Sequence, residues 1–554
     1  MSTQPRIVET DVLVVGGSAA GMRAAVEAKR KGVNVVLVCK GLLGRSGCSI
    51  VSGALFAVAL HEDDSSSIHF KDTVVNGGFL NNRRLVEILA KEGDRRVLEL
   101  ENYGVSFERT DEKYAMIHGP GHTHPRILRS NHSSRSHVLR GTSFTFPLAE
   151  TVRKVGVKVF EGVMCLALLR ASNVIVGILG MDVKTGEFTV FHAASTILAT
   201  GGLGRLFLMT NNPSGTTGDG YAAAYRAGVE LMDMEMVQFH PNMSVAPIRG
   251  LLVPSPLYSY GMQLRNSLNE PFMERYDPVN KDNTTRDLQS RAIFMEINSG
   301  RGVDGGVYVD MSKVPSEVLS RYSNFVNVLR NRGVDVRRDR VLVTPAVHFF
   351  MGGVRINERC EASMEGLYAA GEVSGGLHGA NRLVGNALTE TQVFGARAGV
   401  YAAERAASIK REEVNFDQAK EEMERIVELR RHAEKTVEPS EIIQSLKQTM
   451  WRYVGIIKSR SGLEKALEEI GLMAGKLPQL RAADTQELVK AIEASNMLVV
   501  GELIAKSALM REESRGAHFR EDYPEMDDQH WLGNIFVSLG RGVEFRPITS
   551  ENYF

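Results

Sequence analysis

The stretch TDVLVVGGSAAGMRAAVEAKRKGVNVVLVCKG, from Thr10 to Gly41, limits the possible folds more than any other part of the chain. It reads as an apolar strand, a turn of small residues, a helix with alanines on its packing face and a second apolar strand, which is a βαβ unit. Gly16 and Gly21 take the outer positions of the dinucleotide pattern, Ser18 replaces the middle glycine, and Ala19 and Ala20 open the helix. Such a turn must be tight, and the free N–H groups of its helix must face a pyrophosphate. An ordinary βα turn is the bland alternative, but the strand before and the helix after favour nucleotide binding. The second strand ends in Cys39-Lys40 where an acid would contact an NAD ribose, which argues against that cofactor.

Two later segments repeat the design of a strand running into glycines. They are TILATGGLG at Thr196 to Gly204, which contains Gly201, and GLYAAGEVSGGLHGANRL at Gly366 to Leu383, built around Glu372. Their separation makes the middle third of the chain an insertion between two halves of one nucleotide domain. Arg382 lies in the second segment among glycine, alanine, asparagine and leucine with no acid close in sequence, so a bound anion is expected to supply its counter-charge.

A chain of 554 residues with 43% apolar content exceeds one hydrophobic core. Lys and Arg balance Asp and Glu at 66 each, which removes a whole-protein argument for nucleic acid or acidic lipid, so any anion site must be local. The apolar run Val159 to Met181 is interrupted by Glu161, Arg170 and Asn173 and reads as a small antiparallel sheet, not a membrane span. The N-terminus lacks the apolar stretch of a secretory signal, which gives a cytoplasmic expectation. Cys39, Cys48, Cys165 and Cys360 are dispersed without a CxxC pair, so neither a disulfide framework nor an iron–sulfur cluster is expected within the chain.

Taken with VVGGSAAG and TILATGGLG, the motifs TTGDG, MVQFHP, PFMERY, TTRDLQSRA, HFFMGG, GLYAAGE, GANRLVGNAL and SRGAHFREDYPEMDD follow in one order along nearly the whole chain. In this the chain resembles the flavoprotein subunits of fumarate reductase and succinate dehydrogenase, a group that includes L-aspartate oxidase and the α subunit of adenylylsulfate reductase. The resemblance implies an α/β fold: a Rossmann-like FAD-binding domain (1–236 and 348–407), an inserted α+β capping domain (237–347), a helical domain (408–520) and a tail (521–554). It implies FAD in an extended crevice, with the Gly16 to Gly21 turn at the pyrophosphate and with Asp219 and Glu372 at its sugar and ribityl portions. Ala387 and Leu388 would lie against the flavin ring, and Cys39, Lys40, Ser46, Gly47 and Gly201 would lie along the cofactor.

The loop GRSGCSIVSG aligns with the one beside the flavin's dimethylbenzene edge, and Gly47 stands where family members with covalent FAD carry a histidine. The resemblance therefore implies non-covalent FAD, a lower flavin potential and a balance toward reducing an acceptor; Cys48 reads as a packing residue. It further implies His240 and His348 as donors to a dicarboxylate, Arg382 as its clamp and Arg286 as the proton donor. An iron–sulfur partner subunit would carry the electrons, and partner subunits could hold the chain peripherally at the inner membrane. Taken singly, each of these residues also fits a structural role: His240 as a buried turn residue, Arg286 in an ion-pair network with Asp287 or Arg291.

Three departures bear on the substrate. The family's threonine-glutamate pair and its arginine-glycine-glutamate fall near Pro254-Ser255 and Tyr258 to Tyr260, so the acidic proton relay is missing, with Tyr258 or Tyr260 as weak substitutes. Between Met116 and Arg140, five histidines (His118, His122, His124, His132, His137) join four arginines with no acid among them. This reads as a cationic lid or a solvated basic loop, and not as a metal site. Gly119 replaces the glutamate that meets the ammonium in L-aspartate oxidases, which disfavours aspartate. Fumarate-type reduction leads. Adenylylsulfate reductase-like chemistry, aspartate oxidation and an electron-transfer subunit with a decayed substrate site remain alternatives.

Overall fold

The computed structural model describes residues 5–131, 139–429 and 436–549. Its central sheet has seven strands. Lys158–Glu161, Val35–Cys39, Arg6–Val15, Phe188–Leu198 and Leu367–Ala369 run parallel, and Val174–Asp182 and Val163–Ala171 extend the sheet antiparallel from Phe188–Leu198. The run from Val159 thus does form an antiparallel hairpin, but as the edge of the main sheet. Its first residues pair in parallel with Val35–Cys39 as a half-exposed edge strand.

The helix Ala19–Arg30 packs along the helix Asn386–Ser408. The approach is close because Gly395 and Gly399 line the contact; a Cβ at Gly399 would lie 2.2 Å from Ala24 O. This joins the first and last parts of the nucleotide unit, which the insertion separates by sequence.

The insertion builds a second sheet from Val237–Ala246, Val341–Phe350, Val307–Asp310 and Gln263–Arg265, all antiparallel. It has its own core, including Leu257, Leu264, Phe272, Val309 and Phe325. Helices Phe416–Glu428, Pro439–Tyr453, Arg460–Ala474 and Thr485–Met510 follow. None of the described helices is long and apolar enough to cross a membrane. The last described residues form the hairpin Gly533–Ser538/Gly542–Pro547, which pairs with Leu231–Met232.

SRGAHFREDYPEMDD braces the Arg382 loop. Ala517 N donates to Ala380 O at 2.9 Å, Arg515 Nη1 donates to Gly78 O at 2.9 Å, and Glu513 pairs with both Arg511 and Arg515.

Candidate functional site

Arg6–Val15 and Phe188–Leu198 end side by side, and the crevice beyond the carboxyl ends of parallel strands is where such sheets bind ligands. Gly16 adopts a φ of 129°, and a Cβ there would lie 2.0 Å from Ala199 O; one at Gly21 would lie 1.9 Å from Gly16 O. Only glycine permits this closure. Ser18 stands at the N-cap of the helix and donates to Ser49 Oγ at 2.8 Å.

The residues fit FAD on three observations. Gly201 has a φ of 74° and open space where its Cβ would point. Thr200 Oγ1 is buried without a hydrogen-bond partner. Burial raises the Glu372 carboxyl to about 8, and it accepts a hydrogen bond from Phe350 N at 3.2 Å, which leaves capacity for sugar hydroxyls. Ala387 and Leu388 lie in the first turn of Asn386–Ser408, whose first residue is fixed by His69 (2.8 Å) and Thr73 (3.0 Å).

Other expected cofactor residues have protein partners. Lys40 Nζ pairs with Asp219 Oδ2 at 2.7 Å and Glu493 Oε1 at 2.6 Å, and Asp219 Oδ1 accepts from Asn496 Nδ2 at 2.9 Å. Cys39 lies against Gly17, and burial raises its thiol to about 12. Ser46 Oγ donates to Leu42 O at 2.8 Å. Gly47, with a φ of 81°, precedes Cys48, whose thiol burial and the Glu372 charge hold far above its usual range.

Arg286, His240, His348 and Arg382 converge from four elements: the first turn of helix Arg286–Glu296, the paired strands Val237–Ala246 and Val341–Phe350, and the glycine-rich loop before Asn386. The rings of His240 and His348 lie 5.2 Å apart. Burial and the charges of Arg286 and Arg382 drive both imidazoles far below their ordinary pKa, so they are neutral at pH 7. Asn242 N donates to His240 Nδ1 at 3.1 Å. Asn211 Nδ2 donates to His348 Nδ1 at 2.9 Å, its Oδ1 lying farther from that nitrogen at 3.3 Å. These contacts put the proton of each ring on Nε2, as a donor.

Arg382 is buried, stacks over Phe349 with Cζ 4.6 Å from the ring centre, and donates from Nη2 to Gln238 Oε1 at 2.9 Å. Burial pulls its guanidinium down to about 10 against the opposing pull of Glu372 and Glu390. Arg286 is lowered to about 9 by burial and by the Arg382 charge. Arg286 Nε and Nη1 and Arg382 Nε are buried and make no hydrogen bond among the described residues. Two cations with unused donors and two imidazole N–H groups therefore face a common region, an arrangement that suits a dianion.

The phenols do not supply a relay. Tyr258 donates to the amide oxygen of Asn242 at 2.6 Å, and an amide oxygen passes no proton onward; Tyr260 is 40% exposed. Ser255 Oγ lies 3.4 Å from His240 Nε2.

The described arginines of the basic segment overturn both expectations, the cationic lid and the solvated loop. Arg126 is fully buried and held by Asp64 (2.6 Å) and Asp72 (2.7 Å), while Arg129 and Arg140 both pair with Glu108. The acids are distant in sequence, so local composition hid them. His122, on Arg126, makes a 2.8 Å hydrogen bond to Val384 O, and His124 contacts Thr123. His132, Arg135 and His137 lie outside the described residues. Sequence reasoning missed Asn242 and Asn211, which lie in no quoted motif, and gave no role to Phe349 within HFFMGG.

The family model described as an FAD binding domain matches residues 11–388, and that described as fumarate reductase flavoprotein C-term matches 443–553. The chain is 41% identical to a subunit of the fumarate reductase (CoM/CoB) of Methanothermobacter marburgensis, covering 98% of this chain and 99% of that one. It is 30% identical to the succinate dehydrogenase flavoprotein subunit of Rickettsia conorii, over 97% and 95% of the two chains. Among solved structures, FrdA of E. coli quinol fumarate reductase superposes with a TM-score of 0.91 at 27% identity, covering 98% of each chain. The chain thus belongs to the fumarate reductase/succinate dehydrogenase flavoprotein family and is an FAD-dependent oxidoreductase.

Proposed function

We propose that this chain is a flavin subunit that reduces a fumarate-type dicarboxylate, with non-covalent FAD and electrons delivered by an iron–sulfur partner. The observation that carries this reading is the pair of buried guanidiniums, Arg286 and Arg382, whose unused donors face two neutral imidazoles with no acid in contact among the described residues. A dicarboxylate dianion balances that charge. Relatives named as fumarate reductase and succinate dehydrogenase subunits support the same substrate class.

FAD, once bound and reduced by two electrons from that partner, would supply the hydride. Arg382 and the Nε2–H groups of His240 and His348 hold the carboxylates, and their donors stabilise charge that grows on the carboxylate as the double bond is reduced. Arg286 delivers the proton to the carbon opposite the hydride. Its lowered pKa, about 9, brings a guanidinium into the range of a usable acid. Gly47 offers no imidazole for a tether. Cys39 and Cys165, raised to about 12 by burial, and Cys360, raised by the same cause, lie dispersed, which favours a separate electron carrier.

The test is anaerobic: photoreduce the FAD-loaded protein, add fumarate, and follow flavin absorbance together with succinate. Reoxidation with one succinate formed per flavin is expected. A flavin that stays reduced with fumarate but is oxidised by an artificial one-electron acceptor would reject the dicarboxylate reaction in favour of an electron-transfer role.

A further inference from the structure

Arg286 and Asp287 are neighbours in the first turn of helix Arg286–Glu296, yet they form no ion pair with each other among the described residues. Arg291, one turn on, is lowered by burial against the pull of the Asp287 charge, whereas Arg286 is lowered by burial and by the Arg382 charge. The Asp287 carboxylate is committed elsewhere. Its Oδ1 accepts from Asn381 Nδ2 at 2.8 Å, and Asn381 is the residue before Arg382 in the glycine-rich loop.

From Asp287 the side-chain hydrogen bonds continue to the clamp, all polarised the same way. Asn381 Oδ1 accepts from Gln238 Nε2 at 2.7 Å, and Gln238 Oε1 accepts from Arg382 Nη2 at 2.9 Å. A guanidinium only donates and an ionised carboxylate only accepts, so the two ends dictate one orientation for both amides between them. Turning either amide over would set N–H against N–H and oxygen against oxygen. Asn381 and Gln238 are 5% and 0% exposed, so bulk water does not replace a lost partner there. The other contacts of this part of the loop hold its backbone: Asn76 Nδ2 donates to Asn381 O at 2.8 Å and Ala517 N to Ala380 O at 2.9 Å.

We propose that Asp287 is a positioning residue for the substrate clamp: through Asn381 and Gln238 it orients the Arg382 guanidinium and holds the Arg382 loop against the helix that carries Arg286. This rests on the dicarboxylate reading. A carboxylate in direct contact with Arg382 would compete with the substrate for its donors. Two amides pass on the orientation and leave Arg382 Nε unused.

The experiment titrates malonate, an unreactive dicarboxylate, against the oxidised FAD-loaded wild type, Asp287→Asn and Asp287→Leu, read by the flavin difference spectrum, with fumarate kinetics and FAD content alongside. Asn keeps an acceptor for Asn381, and Leu removes it. D287L is expected to weaken malonate at least about tenfold and to raise the fumarate KM by a similar factor, the scale of a hydrogen bond to a charged group. D287N should stay within about threefold of the wild type in malonate Kd, because the bond to Asn381 survives. A contact that only stabilised the fold would lower the unfolding midpoint and leave the malonate Kd of folded, FAD-loaded D287L at the wild-type value; that result overturns the proposal. A D287N protein as weak as D287L overturns it too, since the acceptor would then not set the clamp. Failure of the wild type itself to bind malonate, fumarate or succinate would overturn the dicarboxylate reading instead. Should D287L not retain FAD, Asn381→Ala decides from the other side of the same bond, with the same expected weakening and the same overturning result.

Discussion

Gln238 and Arg382 hold each other from both ends: Arg382 Nη2 donates to Gln238 Oε1 at 2.9 Å, and Gln238 Nε2 donates to Arg382 O at 2.9 Å. Gln238 Nε2 also donates to Asn381 Oδ1 at 2.7 Å. One amide thus fixes both the guanidinium and the backbone beneath it, and Phe349 fixes the plane. Gln238→Leu is expected to lower kcat/KM for fumarate about 10- to 100-fold, since it removes a hydrogen bond to a charged group and loosens the loop. Gln238→Glu should act mainly on KM, because a carboxylate against Arg382 competes with the substrate. Steady-state kinetics with FAD content as a control separates the two.

In the proposed reaction Arg286 is the acid, and its protonation limits turnover. The protonated guanidinium is the acid, so activity is present below its pKa and lost above it. With that pKa at about 9, kcat/KM for fumarate should be flat toward neutral pH and fall about tenfold per unit once pH exceeds 9. Arg286→Gln should reduce kcat by at least about a hundredfold and leave malonate binding within about tenfold, because Arg382, His240 and His348 remain. A variant with wild-type kcat would remove the acid role.

The nucleotide half of this fold was legible because its constraints are local. Gly16 and Gly21 are required by backbone closure within six residues, and a strand–turn–helix pattern announces them. His240, His348, Arg286 and Arg382 were legible through ordered motifs around each. The bond from Asn242 N to His240 Nδ1 was not, because it arises at a strand bulge that leaves no mark at the position itself. The basic segment from Met116 misled for the opposite reason. Charge read along the chain counts only neighbours, while Asp64 and Asp72 reach Arg126 from other parts of the structure.

Arg126 reaches the Arg382 loop through His122, which contacts Val384 O. Burial alone would raise the carboxyls of Asp64 and Asp72; hydrogen bonds from Arg126, with the backbone N–H groups of Ser65 and Thr123, outweigh it and hold both below the usual range. Depressed carboxyls stabilise the fold above their unfolded pKa, and that contribution is lost as pH falls through the folded values. Arg126→Met leaves two buried charges unpaired and should cost about 3–5 kcal/mol in urea unfolding near pH 7. The deficit should shrink in acid, where Asp64 and Asp72 can protonate. His122 loses its Arg126 contact in the same variant, so fumarate KM should also rise through the Val384 end of the Arg382 loop. Equal unfolding curves for variant and wild type at pH 7 would exclude the clamp.

Lys40 ties the nucleotide unit to the helical region. Burial pulls its pKa down, but the charges of Asp219 and Glu493 outweigh it and hold the ammonium above its usual value. The stabilisation is therefore complete below the unfolded pKa of lysine and is lost only as pH rises through the higher folded one. Glu493 belongs to the helix Thr485–Met510, and Asn496 of that helix binds the same Asp219. Lys40→Met leaves the two acids facing each other with Asn496 and Thr217 as the neutral contacts of Asp219, so Asp219 should turn from its present position. If Asp219 contacts the cofactor, the variant should release FAD more readily, with a Kd at least about tenfold higher, and lose about 2–4 kcal/mol of stability at pH 7. Glu493→Gln, by contrast, leaves the Lys40–Asp219 pair intact and should keep most of the FAD affinity. Fluorescence titration of the apoprotein with FAD measures both; a K40M protein that is destabilised yet binds FAD like the wild type would make Lys40–Asp219 purely structural.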